Sequence, residues 1–153
     1  MKSLKQLLNQ RLRPIPSWLS YFLVLVPLLG FVDSIYLTAS RLLSFSVPCT
    51  IFKGCDVVTK SVYSSIGPIP IALLGTLYYL TLFILAIYYL DTAKKNVLYL
   101  FSKLSWVGAV FSVWLVFLQM FVLRAYCIYC MVSASFCAIL FVLCLVYIRI
   151  DKE

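Results

Sequence analysis

Two pairs of cysteines are spaced for thiol–disulfide exchange. Cys127 and Cys130 form a CxxC motif that opens the last apolar segment, shortly after the basic residue Arg124. At the N-terminus of a helix, unpaired backbone N–H groups and the helix dipole stabilise a thiolate, and a nearby cation adds to this effect. Cys49 and Cys55 lie in the only long polar loop of the sequence. Together the two pairs predict a relay that passes two electrons by disulfide exchange.

Each pair also has a simpler interpretation. A ring as short as that between Cys49 and Cys55 adds little stability, which favours a labile redox bond over an ordinary structural disulfide. The two CxxC cysteines can instead be small buried apolar residues. Four thiolates together also suit zinc, although the C-x5-C spacing is wider than that of a usual zinc knuckle. We favour the redox interpretation and keep these alternatives open.

The other cysteines and the absence of histidine narrow the chemistry further. The chain contains six cysteines and no histidine, which excludes histidine acid–base catalysis, His-ligated haem and most catalytic zinc sites. Thiol–disulfide exchange needs no histidine. Cys137 and Cys144 follow Cys130 at steps of seven residues, deeper in the same apolar segment. We expect these two to pack between helices.

The composition is that of a membrane protein. The chain is 64% hydrophobic and only 12% charged, more apolar than a soluble domain of 153 residues can bury. Four segments are long enough to cross a bilayer core, which needs about 20 apolar residues. They predict an all-α integral membrane protein, a four-transmembrane-helix bundle in a single domain. The predicted spans are residues 18–40, 70–90, 104–123 and 126–148, with an outer loop at 41–69.

The positions of the basic residues predict the orientation. Nine lysines and arginines flank the spans on one face and four lie on the other. The positive-inside rule therefore places both termini in the cytoplasm and both cysteine pairs on the outer, or periplasmic, side, where disulfides persist. We expect a multi-pass protein of the plasma membrane rather than of the endoplasmic reticulum. The basic residues are too scattered to form a nucleic-acid-binding surface.

The outer loop contains a segment with helical periodicity. Its valines and serines recur on one face at positions 57, 58, 61, 62 and 65. This spacing predicts a short amphipathic helix on the outer membrane surface, with Asp56 as its N-cap.

These features together resemble the vitamin K epoxide reductase family over nearly the whole chain. The resemblance lies in their order: the C-x5-C pair, then Cys55-x5-Ser61, then Ile-Pro-Ile-Ala-Leu-Leu-Gly (69–75) entering the second span, then the CxxC at the outer end of the last span. Another family of four-helix quinone–thiol oxidases, the DsbB family, carries its CxxC in the first outer loop. That family carries its more widely spaced cysteine pair in the second outer loop. Because the present chain has the two motifs in the reverse order, we reject that family.

The resemblance implies a membrane thiol-disulfide oxidoreductase that passes electrons to a quinone of the ubiquinone, menaquinone or vitamin K type. It implies that Cys49 and Cys55 hold a disulfide reduced by a secreted thioredoxin-like (DsbA-like) dithiol protein, expected to be a separate chain. Cys55 and Cys127 would form the transient link between the pairs. Cys130 would be the thiolate that reduces the bound quinone, and Ser61 would support the cysteines by hydrogen bonding.

One position departs from the family pattern. Vertebrate members have a quinone-contacting tyrosine one turn after the CxxC, where this chain has Ala134. The headgroup must therefore find its polar partners elsewhere, although we assign no site role to Tyr78, Tyr79 or Trp114. Two alternative functions stay open: a quinone or quinone-epoxide reductase of vitamin K-type metabolism, and a non-catalytic four-helix membrane subunit with a structural disulfide.

Overall fold

The structure is a computed structural model that describes residues 17–44, 54–92 and 94–152. Cys49 therefore lies outside the described residues. The α-helices are α1 (Ser17–Leu42), α2 (Cys55–Lys60), α3 (Ile71–Thr92), α4 (Lys95–Phe117) and α5 (Ile128–Lys152). The remaining elements are a 3-10 helix (Val62–Ser64), the strands β1 (Ser65–Ile66) and β2 (Ile69–Pro70), and a π-helical turn (Leu118–Leu123) that continues α4.

Four of the helices, α1, α3, α5 and α4 with its π-helical turn, are long and apolar enough to cross a membrane. Large apolar side chains point away from the bundle, as Val110, Val113 and Trp114 do on α4. In water such a surface would be costly, whereas lipid tails solvate it. The chain is thus a multi-pass membrane protein, and the prediction of an all-α four-helix bundle is confirmed.

The third long helix begins earlier than the predicted span. It starts at Lys95 rather than near residue 104. The prediction began later because the segment that follows Lys95 contains Asn96 and Lys103 as well as apolar residues. A hydropathy window excludes such a segment, but a helix continues past the apolar core of a bilayer wherever its backbone hydrogen bonds are satisfied. Inside this first part of α4, Phe101 is almost completely buried.

Small and hydroxylated residues allow the helices to approach closely. α1 packs on α3 and α5, and α4 packs on α5 and α3. Gly30 of α1 lies against the ring of Tyr79 on α3, where any Cβ would overlap the ring. The hydroxyls of Thr38 and Thr76 are 3.0 Å apart across the same interface. Such contacts stabilise membrane helix pairs, which the hydrophobic effect does not drive together.

The outer loop forms a short helix, as predicted, but with different bounds. α2 covers Cys55–Lys60, and its N-cap position is Gly54 rather than Asp56. A 3-10 turn and an antiparallel pair of two-residue strands follow, with Ser65 paired to Pro70. Gly67 connects the strands with a φ of 62°, a conformation that favours glycine. The helix is therefore shorter than the periodicity to position 65 suggested.

Candidate active site

The CxxC motif lies at the start of α5, as its sequence position predicted. The chain reverses after the π-helical turn through Arg124, which adopts a left-handed conformation with a φ of 48°. The carbonyl of Cys127 then accepts the first helical hydrogen bond, from the Met131 N–H at 3.0 Å. Cys127 thus occupies the N-cap position and Cys130 the first turn.

A buried amide that sequence reasoning missed holds this reversal in place. The Gln119 side-chain oxygen accepts a hydrogen bond from the Cys127 N–H at 3.3 Å. The Gln119 carbonyl accepts another from the Ala125 N–H at 3.2 Å. Gln119 is only 4% exposed. In the sequence, the one sign of its role was that it is a lone amide in an otherwise apolar predicted span. It fixes the backbone that carries the first cysteine of the motif.

The two thiols of the motif interact directly and are both free. The pKa of Cys127 is lowered below its usual value, chiefly because the Cys130 thiol donates a hydrogen bond to it. Burial opposes this shift, and the backbone N–H groups of Cys130 and Tyr129 add to it. The helix N-terminus therefore acts as expected. Arg124, which we expected to contribute, is exposed and is not among the strongest influences.

The loop pair approaches the CxxC motif through Cys55. Cys55 is the first residue of α2, is 1% exposed and is disulfide-bonded. It belongs to the same buried cluster as Cys127, together with Leu37 and Val58. Cysteine binds zinc as a thiolate. A disulfide-bonded Cys55 therefore does not fit the alternative of a zinc site with four thiolates.

Ser61 lies close to this cluster and supports its secondary structure. Its hydroxyl donates a hydrogen bond to the Val58 carbonyl at 2.9 Å, at the end of α2. On the same helix, the Thr59 hydroxyl donates to the Cys55 carbonyl at 2.8 Å. Ser61 also lines a cavity beside the CxxC motif. These contacts place Ser61 where it holds the helix that carries Cys55.

A cavity of about 280 Å³ opens beside the CxxC motif, between the long helices. Cys130 and Ala134 line it from α5, and Tyr78 lines it from α3. The Tyr78 hydroxyl is buried and has no hydrogen-bond partner among the described residues. Gly108 of α4 makes room for this hydroxyl, because a Cβ there would overlap it. Sequence reasoning missed Tyr78, because a helix that is apolar on all sides does not reveal its inner face.

The deeper cysteines of α5 belong to the packed core. Cys137 and Cys144 are 4% and 2% exposed, respectively. The Cys137 sulfur lies 3.1 Å from the Tyr79 hydroxyl, which also donates to the Ser133 carbonyl at 2.7 Å. The Cys144 thiol lies 3.6 Å from the hydroxyl of Ser105 on α4. Both residues thus join helices, as we expected.

The comparison with known families agrees with this geometry. The model of the Vitamin K epoxide reductase family matches residues 21–145, a range that includes Cys55, both CxxC cysteines and the cavity. A search of curated proteins found no match. The family is one of membrane oxidoreductases that use quinones. Because the match covers most of the chain, this protein belongs to the vitamin K epoxide reductase family.

Proposed function

We propose that the protein is a quinone-dependent thiol-disulfide oxidoreductase that generates disulfides by oxidising a secreted thioredoxin-like dithiol protein. One observation supports this function most directly. Disulfide-bonded Cys55 shares a buried cluster with the free thiol of Cys127. The neighbouring thiol, Cys130, lines the cavity. One end of the dithiol thus faces the loop pair and the other faces a ligand-sized space.

The first step that we propose transfers two electrons from the partner to the loop. A thiolate of the partner attacks Cys49 of a Cys49–Cys55 disulfide and forms a mixed disulfide, which releases Cys55 as a thiolate. The second thiol of the partner then attacks the mixed disulfide. The partner leaves oxidised, and the loop pair is left as two thiols.

The second step transfers the same two electrons to the CxxC motif. The Cys55 thiolate attacks the sulfur of Cys127 in an oxidised Cys127–Cys130 pair, which forms a Cys55–Cys127 disulfide and releases the Cys130 thiolate. Cys49 then attacks Cys55, which restores the loop disulfide and frees Cys127. A disulfide-bonded Cys55 beside two free CxxC thiols corresponds to the stage that this step produces.

The cavity fits a quinone headgroup. Its volume of about 280 Å³ is close to the lower end of small-molecule pockets, about 300–1,000 Å³. Its walls are mostly apolar. The buried Tyr78 hydroxyl offers a donor that no other described residue engages. We propose that Tyr78 takes the role that the family's tyrosine has at position 134. When bound, a quinone supplies the oxidant that accepts the two electrons and two protons of the dithiol.

The distribution of charge supports the proposed side of the membrane. Cys55 and Cys127 lie at one end of the bundle, where α1 ends and α5 begins. Lys94, Lys103 and Arg149 lie at the other end, near the α3–α4 connection and the C-terminal end of α5. The positive-inside rule therefore supports a plasma-membrane protein whose cysteine pairs face the outer side and whose termini are cytoplasmic.

Turnover of cysteine variants tests the proposed function. The purified protein in detergent would be given a reduced thioredoxin-like dithiol donor and a ubiquinone or menaquinone analogue, and hydroquinone formation would be followed. We expect turnover in the wild type and none in Cys55→Ser or Cys130→Ser. Cys144→Ala is the matched control, because Cys144 is buried away from the cavity. Absence of turnover in the wild type with every donor and quinone would overturn the proposal.

A further inference from the structure

A carboxylate inside the bundle takes no part in the proposed cysteine relay. The four described spans contain two acidic residues, Asp33 in the middle of α1 and Asp91 in the last turn of α3. The Oδ2 atom of Asp33 is buried without a hydrogen-bond partner among the described residues. Ionisable residues within membrane spans are costly and usually serve a function.

Asp33 faces the CxxC motif. The next turn of α1 contacts this motif: the ring centroids of Tyr36 and Tyr129 are 5.3 Å apart, and Leu37 shares a buried cluster with Cys127. From the preceding turn, the Asp33 carboxylate acts electrostatically on Cys127, Cys130 and Tyr129. Within the ranges 17–44, 54–92 and 94–152, no lysine or arginine forms an ion pair with it. Two thiols and a phenol are thus titratable neighbours of the carboxylate, and no cation among the described residues compensates its charge.

Two negative charges in this region would repel each other strongly. The Asp33 carboxylate raises the pKa of the Cys127 thiol, whereas the hydrogen bond from Cys130 lowers it. In surroundings of low dielectric constant without a counter-ion, a thiolate and a carboxylate do not readily form together. When one of two such groups is ionised, the other therefore holds its proton more tightly.

We propose that Asp33 is the proton acceptor of the CxxC dithiol, which takes up the proton of the Cys127 thiol as its thiolate forms and releases it once the Cys127–Cys130 disulfide exists. This role rests on the proposed function, because the quinone is the oxidant that removes the electrons. The protonated carboxyl is neutral, so the thiolate no longer faces a negative charge.

The step balances in atoms and electrons. Two S–H bonds break and one S–S bond forms, which releases two electrons and two protons. Asp33 holds one proton in transit, and the Cys130 thiol supplies the other. Both protons and both electrons leave with the reduced quinone, and Asp33 returns to its starting state.

The proposal is tested without quinone or partner by the pH dependence of Cys127 alkylation. Iodoacetamide would be reacted with the full-length protein in detergent, and modified Cys127 would be measured by mass spectrometry. Removing the carboxylate in Asp33→Asn should move the midpoint to lower pH by about one unit. Hydroquinone formation by the same variant should fall by about 100-fold, because the proton acceptor is lost. A more reactive thiol combined with slower turnover is not expected from a purely structural defect.

Two further variants provide the controls. Asp33→Glu keeps a carboxylate, so its Cys127 alkylation midpoint and its rate of hydroquinone formation should stay close to those of the wild type. Asp91→Asn makes the same charge change on an exposed residue in the last turn of α3 and should change neither. An unshifted alkylation midpoint in Asp33→Asn, or wild-type turnover in that variant, would overturn the proposal. A shifted midpoint in a protein whose wild type reduces no quinone would overturn the proposed function while upholding the link between Asp33 and Cys127.

Discussion

Gly54 lies directly against the backbone of Tyr126. A Cβ placed on Gly54 would be 2.8 Å from both the backbone nitrogen and the backbone oxygen of Tyr126, closer than packed atoms tolerate. Each residue immediately precedes a cysteine of the proposed relay, Gly54 before Cys55 and Tyr126 before Cys127. This glycine contact therefore brings the two cysteine-bearing segments together.

Gly54→Ala should separate the two segments and slow disulfide exchange between Cys55 and Cys127. Reactions of this kind lose up to about 100-fold when groups are misplaced by about 1 Å, so we expect a decrease of tenfold or more. The measurement uses a Cys49→Ala, Cys130→Ala background, in which Cys55 and Cys127 remain to crosslink under mild oxidation. The rate of crosslinking is read by gel mobility.

Gly67→Ala is the control for this prediction. Its φ of 62° makes any side chain strained, but nothing lies within 4 Å of its Cβ position. It therefore perturbs the loop without touching the contact with Tyr126. If Gly54→Ala crosslinks as fast as its parent, or if both glycine variants slow equally, the contact does not control exchange.

Cys130→Ala should raise the pKa of Cys127. The Cys130 thiol is the strongest influence that lowers this pKa, and alanine removes the donated hydrogen bond while the backbone N–H groups remain. Hydrogen bonds to charged groups are worth about 1.5–3 kcal/mol, so the midpoint of Cys127 alkylation should move to higher pH by about one to two units. Cys130→Ser, which keeps a donor, should move it less. A midpoint at or below that of the wild type in Cys130→Ala would contradict the assignment.

Gln119→Leu should loosen the reversal before Cys127. Leucine has a similar volume but offers no acceptor to the Cys127 N–H, and an unsatisfied buried donor costs about 1–3 kcal/mol. We expect a lower thermal unfolding midpoint in detergent and faster hydrogen exchange in peptides that cover residues 124–127. Met120→Leu changes the adjacent exposed residue and should alter neither. Unchanged exchange in Gln119→Leu would show that the backbone bonds alone hold the turn.

Sequence patterns identified the cysteine motif and the four long helices because both signals are local. A CxxC at the start of an apolar segment needs only neighbouring residues to be recognised, and length with hydropathy predicts a span. The contact between Gly54 and Tyr126 depends on how distant segments pack, which no periodicity encodes. The same holds for the position of Asp33 opposite the start of α5.

The inner faces of the helices were also beyond sequence patterns. In a membrane helix both the lipid-facing and the core-facing sides are apolar, so amphipathicity does not distinguish them. Tyr78 and Tyr79 are neighbours in α3, yet the Tyr78 hydroxyl has no hydrogen-bond partner among the described residues while the Tyr79 hydroxyl donates to α5. The glycines that receive their rings, Gly108 and Gly30, lie on two different helices.

These adjacent tyrosines provide a paired test of the proposed quinone site. Tyr78→Phe removes a hydroxyl that has no partner within the described part of the chain, so the stability should stay unchanged. If this hydroxyl donates to a quinone oxygen, the Kd for a quinone analogue should rise by about tenfold, the value of one hydrogen bond. Binding is measured by quenching of tryptophan fluorescence, and stability by thermal unfolding in detergent.

Tyr79→Phe should show the opposite pattern. Its hydroxyl donates to the Ser133 carbonyl at 2.7 Å and lies 3.1 Å from the Cys137 sulfur. Its loss removes a buried hydrogen bond between α3 and α5, which should lower the free energy of unfolding by about 1 kcal/mol. Quinone affinity should change little, because this hydroxyl is already engaged. If both variants weakened quinone binding equally, the unpaired hydroxyl of Tyr78 would have no particular role, and the polar partner of the quinone would have to lie elsewhere in the cavity.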